Sequence, residues 1–339
     1  MQLSDHQLDQ IAIAGRAASA LSLLGVVTII ATFAYSSNFR SPTHRIMLIN
    51  AFYNVFDFIA TMISVSGPAA GDESGLCRFQ AFSLQMFPVA DVLWTLAMTW
   101  DVVLVVFWQY EPEALRKLEK KYVAVITTIT ITPALIFLFV RSDAKGPLYG
   151  SVVFWCAISP NWVKYRIVFY YAPIMLLIAI VLVLYIVIGC QIIKLGHEFI
   201  LTQDDRLRLS SSADASNESL YQANHSHNHN NLHTKPSTNT LHRSDAEAAI
   251  DITITDSPDP NPIMHHHSAV PLRKFILMPM VFFIALLTTW ITPTVNRIYS
   301  FRHPGQERYA LMVAVAALGS LRGFWNGLIF VTMRSKGRG

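Results

Sequence analysis

Asp57, Asp91, Asp101 and Arg322 each stand inside a long apolar stretch of the chain. A charge at membrane depth is costly, so such a group should face the interior of a bundle and have a partner there. Asn50, Asn54 and Asp57 share one helical face, because residues four and seven apart line up along a helix. Gln85, Asp91, Trp94, Thr95 and Asp101 fall in the next apolar stretch, and Arg322 and Asn326 lie one turn apart in the last. At 1.5 Å per residue, Arg322 should sit about 20 Å below the outer boundary, with Asp91 at comparable depth. An Arg322–Asp91 or Arg322–Asp57 pair is therefore expected, while Asp101 lies nearer the inner side. Two chemistries fit. One is a lock of Asn50, Asp57, Asp91, Asp101, Arg322 and Asn326 that changes partners between two conformations; the other is direct contact with a polar ligand. Catalysis does not fit. There is no HExxH, GxSxG or P-loop, and the carboxylates lack metal-ligand spacing. No catalytic residue, metal or cofactor is expected.

The elements that must position these groups follow from hydropathy. Of 339 residues 53% are hydrophobic and 14% charged, where a soluble domain carries about 25% charged. A bilayer core needs roughly 20 apolar residues as helix. Seven blocks qualify: Ile11–Tyr35, Ile46–Ser66, Cys77–Trp108, Tyr122–Val140, Ile167–Ile193, Leu272–Val295 and Tyr309–Met333. The expected fold is an all-α membrane protein, a seven-transmembrane helix bundle. Its parts are an outer N-terminus (1–10), five helices with short loops (11–195), an inner loop (196–271), two further helices (272–333) and a short basic tail (334–339). No basic region precedes the first block, so that block should act as a signal anchor and not a cleaved signal peptide.

Lys and Arg favour the cytoplasmic side. With the N-terminus outside and the C-terminus cytoplasmic, the inner loops and tail hold sixteen of them, including Arg40, Arg45, Arg116, Lys117, Arg273 and Lys274; the outer segments hold eight, including Arg78, Arg141, Arg166 and Arg297. In this arrangement Cys77 and Cys156 both face the oxidising compartment, which predicts a Cys77–Cys156 disulfide; the alternative is two free thiols. Cys190, deep in the fifth block, should be a reduced packing residue.

From Gly196 to Pro271 the chain turns to Ser, Asn, His, Asp and Thr without hydrophobic period, which implies disorder. The sequons at Asn217 and Asn224 fall here and should stay unglycosylated. The histidines from His225 to His233 and at 265–267 lack a cysteine or acidic partner, so no metal site is expected; Ser210, Ser211, Ser212 and Ser257 read as phosphorylation sites in a solvated tether. Glu111–Lys121 reads as a short helix, begun by Pro112, lying on the membrane or meeting a cytosolic partner; the alternative is a solvated basic loop that only fixes orientation.

Ligand-facing positions should lie in the outer half: Gln85, Asp91, Trp94, Trp155, Tyr171, Trp290 and Asn296 are the candidates. Gly319, Gly323 and Gly327 form a stripe for close packing against a neighbouring helix, or, as the alternative, against a second copy in a homodimer. Pro133, Pro173, Pro279 and Pro293 should kink their helices, and Pro293 is the expected pivot of the sixth.

Four local patterns sharpen this picture: RSPTHR from Arg40 to Arg45, LWTLA from Leu93 to Ala97, TWITPTVNRI from Thr289 to Ile298, and RGFWN from Arg322 to Asn326. With the seven spans, they resemble the cyclic-AMP-receptor-like G-protein-coupled receptors of slime moulds and fungi. The likeness to secretin-like and fungal glucose-sensing receptors is looser. There is no DRY triplet after the third block, where Trp108 to Glu111 stand, no NPxxY in the seventh, and no lysine there for a retinal Schiff base. Family members usually carry a longer tail than the one ending at Gly339. The resemblance implies a plasma-membrane receptor that binds a small molecule, a nutrient or cAMP-like compound, within the bundle. Segments six and seven would then switch, opening a site for a heterotrimeric G protein edged by Arg40, Arg45, Arg116, Lys117, Arg273 and Lys274. The partners are thus ligand, G protein and lipid bilayer, with no nucleic acid. The rival reading is a seven-helix transporter of a small polar solute; no internal repeat between the halves supports it.

Overall fold

The computed structural model describes residues 4–36, 41–191, 194, 272–303, 306 and 308–332. They include seven helices long and apolar enough to cross a bilayer. These are α1 (Asp5–Tyr35), α2 (Pro42–Ile63), α3 (Gly75–Trp108), α4 (Pro112–Phe137), α5 (Pro160–Gln191), α6 (Leu272–Arg302) and α7 (Tyr309–Thr332). The described residues from 4 to 190 and from 272 to 332 form a single compact unit, the bundle. Arg40, the side chains of Arg273 and Lys274, the sequons, the histidine and serine runs and the basic tail lie outside the described residues.

The helix starts are written in short polar motifs. Ser4 and Gln7 form a reciprocal capping box, so α1 begins at Asp5 and not at the expected Ile11. Ser41 caps α2 ahead of Pro42, and Ser74 caps α3 through the Cys77 N–H. A second expected boundary also moves. Glu111–Lys121 is not a separate helix but the first turns of α4, which runs unbroken from Pro112 to Phe137. No glycine or proline intervenes before Pro133. Leu115 and Glu119 face inward there, at 1% and 5% exposure.

The most apolar window of α3 is 72% buried, against 22% in α4 and in α5. That makes α3 the axis of the bundle, and it explains how a segment carrying two aspartates sits in a membrane protein. One core joins Val26, Ile29, Met47, Phe58, Trp94, Met98 and Phe330 from α1, α2, α3 and α7. A second joins Val92, Ile174, Val181, Phe283, Leu286 and Trp290 from α3, α5 and α6. Cys190 is exposed near the end of α5, correcting its expected packing role.

The glycine stripe packs within the bundle. A Cβ on Gly25 of α1 would lie 2.2 Å from the Gly323 carbonyl oxygen, and one on Gly327 would lie 2.7 Å from Gly25. Helices α1 and α7 can meet this closely only without side chains at the contact. Helix α7 is also interrupted, running as Tyr309–Gly319 and Arg322–Thr332. The cause lies across the interface. Ser22 Oγ donates to the Ser320 carbonyl and accepts the Phe324 N–H. Those two groups are i and i+4 and would otherwise bond to each other, so the hydroxyl is inserted into the helical ladder.

The loop between α4 and α5 holds the only strands among the described residues, two antiparallel hairpins: β1 (Arg141–Ser142) with β2 (Gly146–Pro147), and β3 (Tyr149–Val152) with β4 (Trp155–Ile158). These small sheets were not expected from an all-α reading. Cys156 in β4 is joined to Cys77 in the first turn of α3, with their Cα atoms 5.3 Å apart. Gln80 reinforces the tie, accepting the Cys156 N–H at 2.8 Å and donating to the Ala60 and Ser64 carbonyls. Tyr149 is buried and donates to the Ala134 carbonyl, and burial pushes its phenol above the usual range.

Candidate functional site

Three helices bring the intramembrane charges together. Asn50 and Asn54 of α2 both donate to Asp91 Oδ1 of α3, at 2.8 and 2.9 Å. Arg322 of α7 reaches Asp91 Oδ2 at 3.4 Å and pairs with Asp57 Oδ2 of α2 through its other terminal nitrogen. Both expected pairings are thus present at once. The break in α7 stands immediately before Arg322. Its guanidinium also lies 5.9 Å from the centre of the Trp290 ring of α6. Both carboxylates are 1% exposed. Asp91 is fully satisfied by three donors, whereas Asp57 Oδ1 has no hydrogen-bond partner among the described residues. Two carboxylates therefore share one guanidinium in a low-dielectric setting, where each ion pair is strong and any unpaired charge is costly.

Asn326 is buried one turn further on and takes no part in either ion pair. Asp101 does not join this cluster. It lies ten residues beyond Asp91, about 15 Å along the helix, and accepts instead from Tyr122 of α4 at 2.9 Å.

Between this cluster and the β3–β4 hairpin are two adjoining cavities of about 90 and 70 Å3. Trp155, Tyr170, Tyr171 and Arg297 line both. The first also touches Asp57, Trp290, Asn296 and Arg322, and the second Gln85 and Arg166. Of the seven expected ligand-facing residues, Gln85, Trp155, Tyr171, Trp290 and Asn296 therefore reach a cavity. Asp91 and Trp94 do not. Asp91 is enclosed by its own donors, and Trp94 is a core residue packed edge-on against Tyr53.

The α5 wall has its own local cause. Pro173 has no N–H to give the Phe169 carbonyl. The backbone widens into a π-turn at Ile167–Tyr171, and Gln85 Nε2 donates to the Phe169 oxygen at 2.9 Å. This turn carries Tyr170 and Tyr171 to the cavity. Tyr170 packs on Trp290, with ring centres 6.2 Å apart, and Arg297 donates to the Tyr171 hydroxyl.

Arg166, Arg297 and Tyr170 are among the cavity residues missed in the sequence. The two arginines count there only toward membrane orientation. Yet Arg166 donates to the Ile158 carbonyl, its Nε is buried without a partner, and neither arginine has a carboxylate in ion-pair range among the described residues. Their signal was an absence: basic residues at two helix ends with no acidic neighbour.

At the far end of the bundle, Arg45 is not a free docking charge. Its Nε lies 2.9 Å from both oxygens of Glu119, and its terminal nitrogen 2.8 Å from one of them. Arg116 and Lys117 are exposed on the extended start of α4.

Residues 6–202 match the family model described as "Slime mold cyclic AMP receptor". The fold is similar to the crystal structure of squid rhodopsin, with a TM-score of 0.56 over 97% of this chain and 83% of that one. The two share 11% identity, so this likeness concerns the fold alone. No curated protein matches the chain.

Proposed function

The chain belongs to the slime mold cyclic AMP receptor family, a family of G-protein-coupled receptors in the membrane, and from that premise we propose that its ligand is a small organic anion bound between the hairpin and the Asp57–Asp91–Arg322 cluster. One observation carries this reading: Arg166, Arg297 and Arg322 line two adjoining cavities in which Asp57 is the sole carboxylate among the lining residues. Guanidinium forks suit phosphate and carboxylate oxygens. Trp155, Tyr170, Tyr171 and Trp290 offer apolar faces for a planar ring. A cyclic nucleotide, the ligand in the family's description, has both parts.

The contacts support a conformational step. A ligand seated against Trp290 and Arg297 bears on α6 beside Pro293, and through Trp290 on Arg322. If Arg322 exchanges its hold on Asp57 and Asp91, α6 and α7 move together, and the opposite end opens to a heterotrimeric G protein. The disulfide end then faces outward, at the plasma membrane. Arg116 and Lys117 stand exposed for docking, and Arg45 becomes available once it leaves Glu119.

The test is GTPγS exchange on a purified heterotrimer in nanodiscs, with cyclic AMP, AMP and uncharged adenosine as probes. Anionic probes should drive exchange where adenosine does not, and Arg297→Gln or Arg166→Gln should weaken the response at least about tenfold, as for a lost charge-assisted hydrogen bond. Equal responses to charged and uncharged probes, or arginine variants indistinguishable from wild type, would overturn the anion reading.

A further inference from the structure

A second place in the molecule combines an apolar crevice with charges that have no ion-pair partners among the described residues. It lies on the outer surface of the bundle at the disulfide end, between the first turns of α3 and the last turn of α4. A hollow of about 430 Å3 is lined by Phe79, Phe82, Leu135, Leu138, Phe139 and Arg78. It shares Arg78, Leu138 and Phe139 with a smaller hollow of about 210 Å3, whose lining adds Glu73, Arg141 and Tyr149. The pair reads as one groove, apolar along the helices and polar at the top.

We propose that this groove binds one zwitterionic phospholipid of the ethanolamine type. Three observations converge. Arg78 is one turn into a helix of membrane-spanning length and Arg141 follows the end of another, which sets both at the headgroup level. Neither arginine has a carboxylate within ion-pair distance among the described residues, so both are open to a phosphate. Glu73 lines the same polar hollow and supplies an acceptor for the headgroup ammonium. Two positive charges and one negative match a phosphate followed by an amine. A purely anionic headgroup would leave Glu73 opposed to it. The acyl chain takes the apolar hollow, where Leu135 and Phe139 are exposed and Phe139 reaches 81%.

The groove shares no lining residue with the receptor cavities. Its test is therefore independent of the receptor reading. The full chain would be purified in nanodiscs containing equal parts of phosphatidylethanolamine, phosphatidylcholine and phosphatidylglycerol, then released and weighed by native mass spectrometry. One phosphatidylethanolamine should be retained per chain in preference to the other two. Arg78→Gln and Arg141→Gln should each lower retention by about tenfold, the order expected for one charge-assisted hydrogen bond to phosphate. Leu135→Trp should fill the apolar hollow and lower it as well. Unchanged thermal unfolding of these surface variants would show that they fold. Equal retention of the three lipids, wild-type retention by all three variants, or a dimer that masks the groove without lipid would each overturn the proposal.

Discussion

Arg322 holds more charge than it can neutralise. Asp57 and Asp91 both pair with it, and among the described residues only Asp91 has further donors, from Asn50 and Asn54. The three groups are thus unequal in what their removal leaves behind. Arg322→Ala strands two buried carboxylates, and losing one partner of a buried pair costs about 3–5 kcal/mol. Asp57→Asn leaves a balanced Arg322–Asp91 pair and should be tolerated far better. Asp91→Asn should fall between them, because it leaves three donors facing an amide. Thermal unfolding in detergent would rank the three. If Arg322→Ala and Asp57→Asn were equally destabilised, the cluster would not be governed by charge balance. The partners were legible in the sequence, since the spacing of Asn50, Asn54 and Asp57 and the shared depth of Asp91 and Arg322 leave few other pairings. Ser22 was not legible. A serine in an apolar helix commonly bonds its own backbone, and its insertion beneath Arg322 depends on how closely Gly25 and Gly323 let α1 approach α7.

Among the elements, α5 shows how one missing hydrogen shapes a cavity wall. Pro173 leaves the Phe169 carbonyl without its helical donor, and Gln85 of α3 supplies one. Gln85→Leu should then orphan that carbonyl, at a cost of about 1–3 kcal/mol. Pro173→Ala restores an N–H to the helix and makes Gln85 redundant. The double variant should recover most of what Gln85→Leu loses, and a double-mutant cycle on thermal stability reads this coupling directly. Strictly additive losses would mean that Gln85 acts through packing alone. A proline in an apolar block announces a disturbed helix, but not which neighbour will satisfy it, because that depends on the rotation of α3 about its axis. The same limit explains α4. Its charged start, Glu111–Lys121, reads in the sequence as an element apart from the apolar block that follows, but a change of hydropathy is not a break in the backbone. The helix simply continues past the membrane edge, held by Leu115 and by Arg45 on Glu119.

Across the whole molecule, the seven spans were legible because hydrocarbon admits so few backbone solutions. The Cys77–Cys156 tie followed from placing both cysteines on one side. What closes the cavity was not legible, since hairpins as short as β3–β4 leave hardly any periodic pattern. The disulfide spans 79 residues, and a chain-entropy estimate for such a loop in water is about 4.5 kcal/mol. That estimate overstates the effect here, because α3 and α4 remain membrane helices and the open loop is never a free coil. The bond should matter mostly where it touches β4, which places Trp155 over both cavities. Cys77→Ser with Cys156→Ser should therefore keep the helical circular-dichroism spectrum. Amide exchange at residues 149–158 should rise well above that of the helices, and affinity for an anionic probe should fall through faster release. Gln80 still holds the Cys156 N–H, so the hairpin should loosen without detaching. Loss of helical signal would make the disulfide a requirement of the fold and not of its lid. Unchanged exchange at 149–158 would instead assign the closure of the cavity to the hairpin's hydrogen bonds, in which the Cys156 N–H donates to Gln80 and the Ser151 N–H to Asp72.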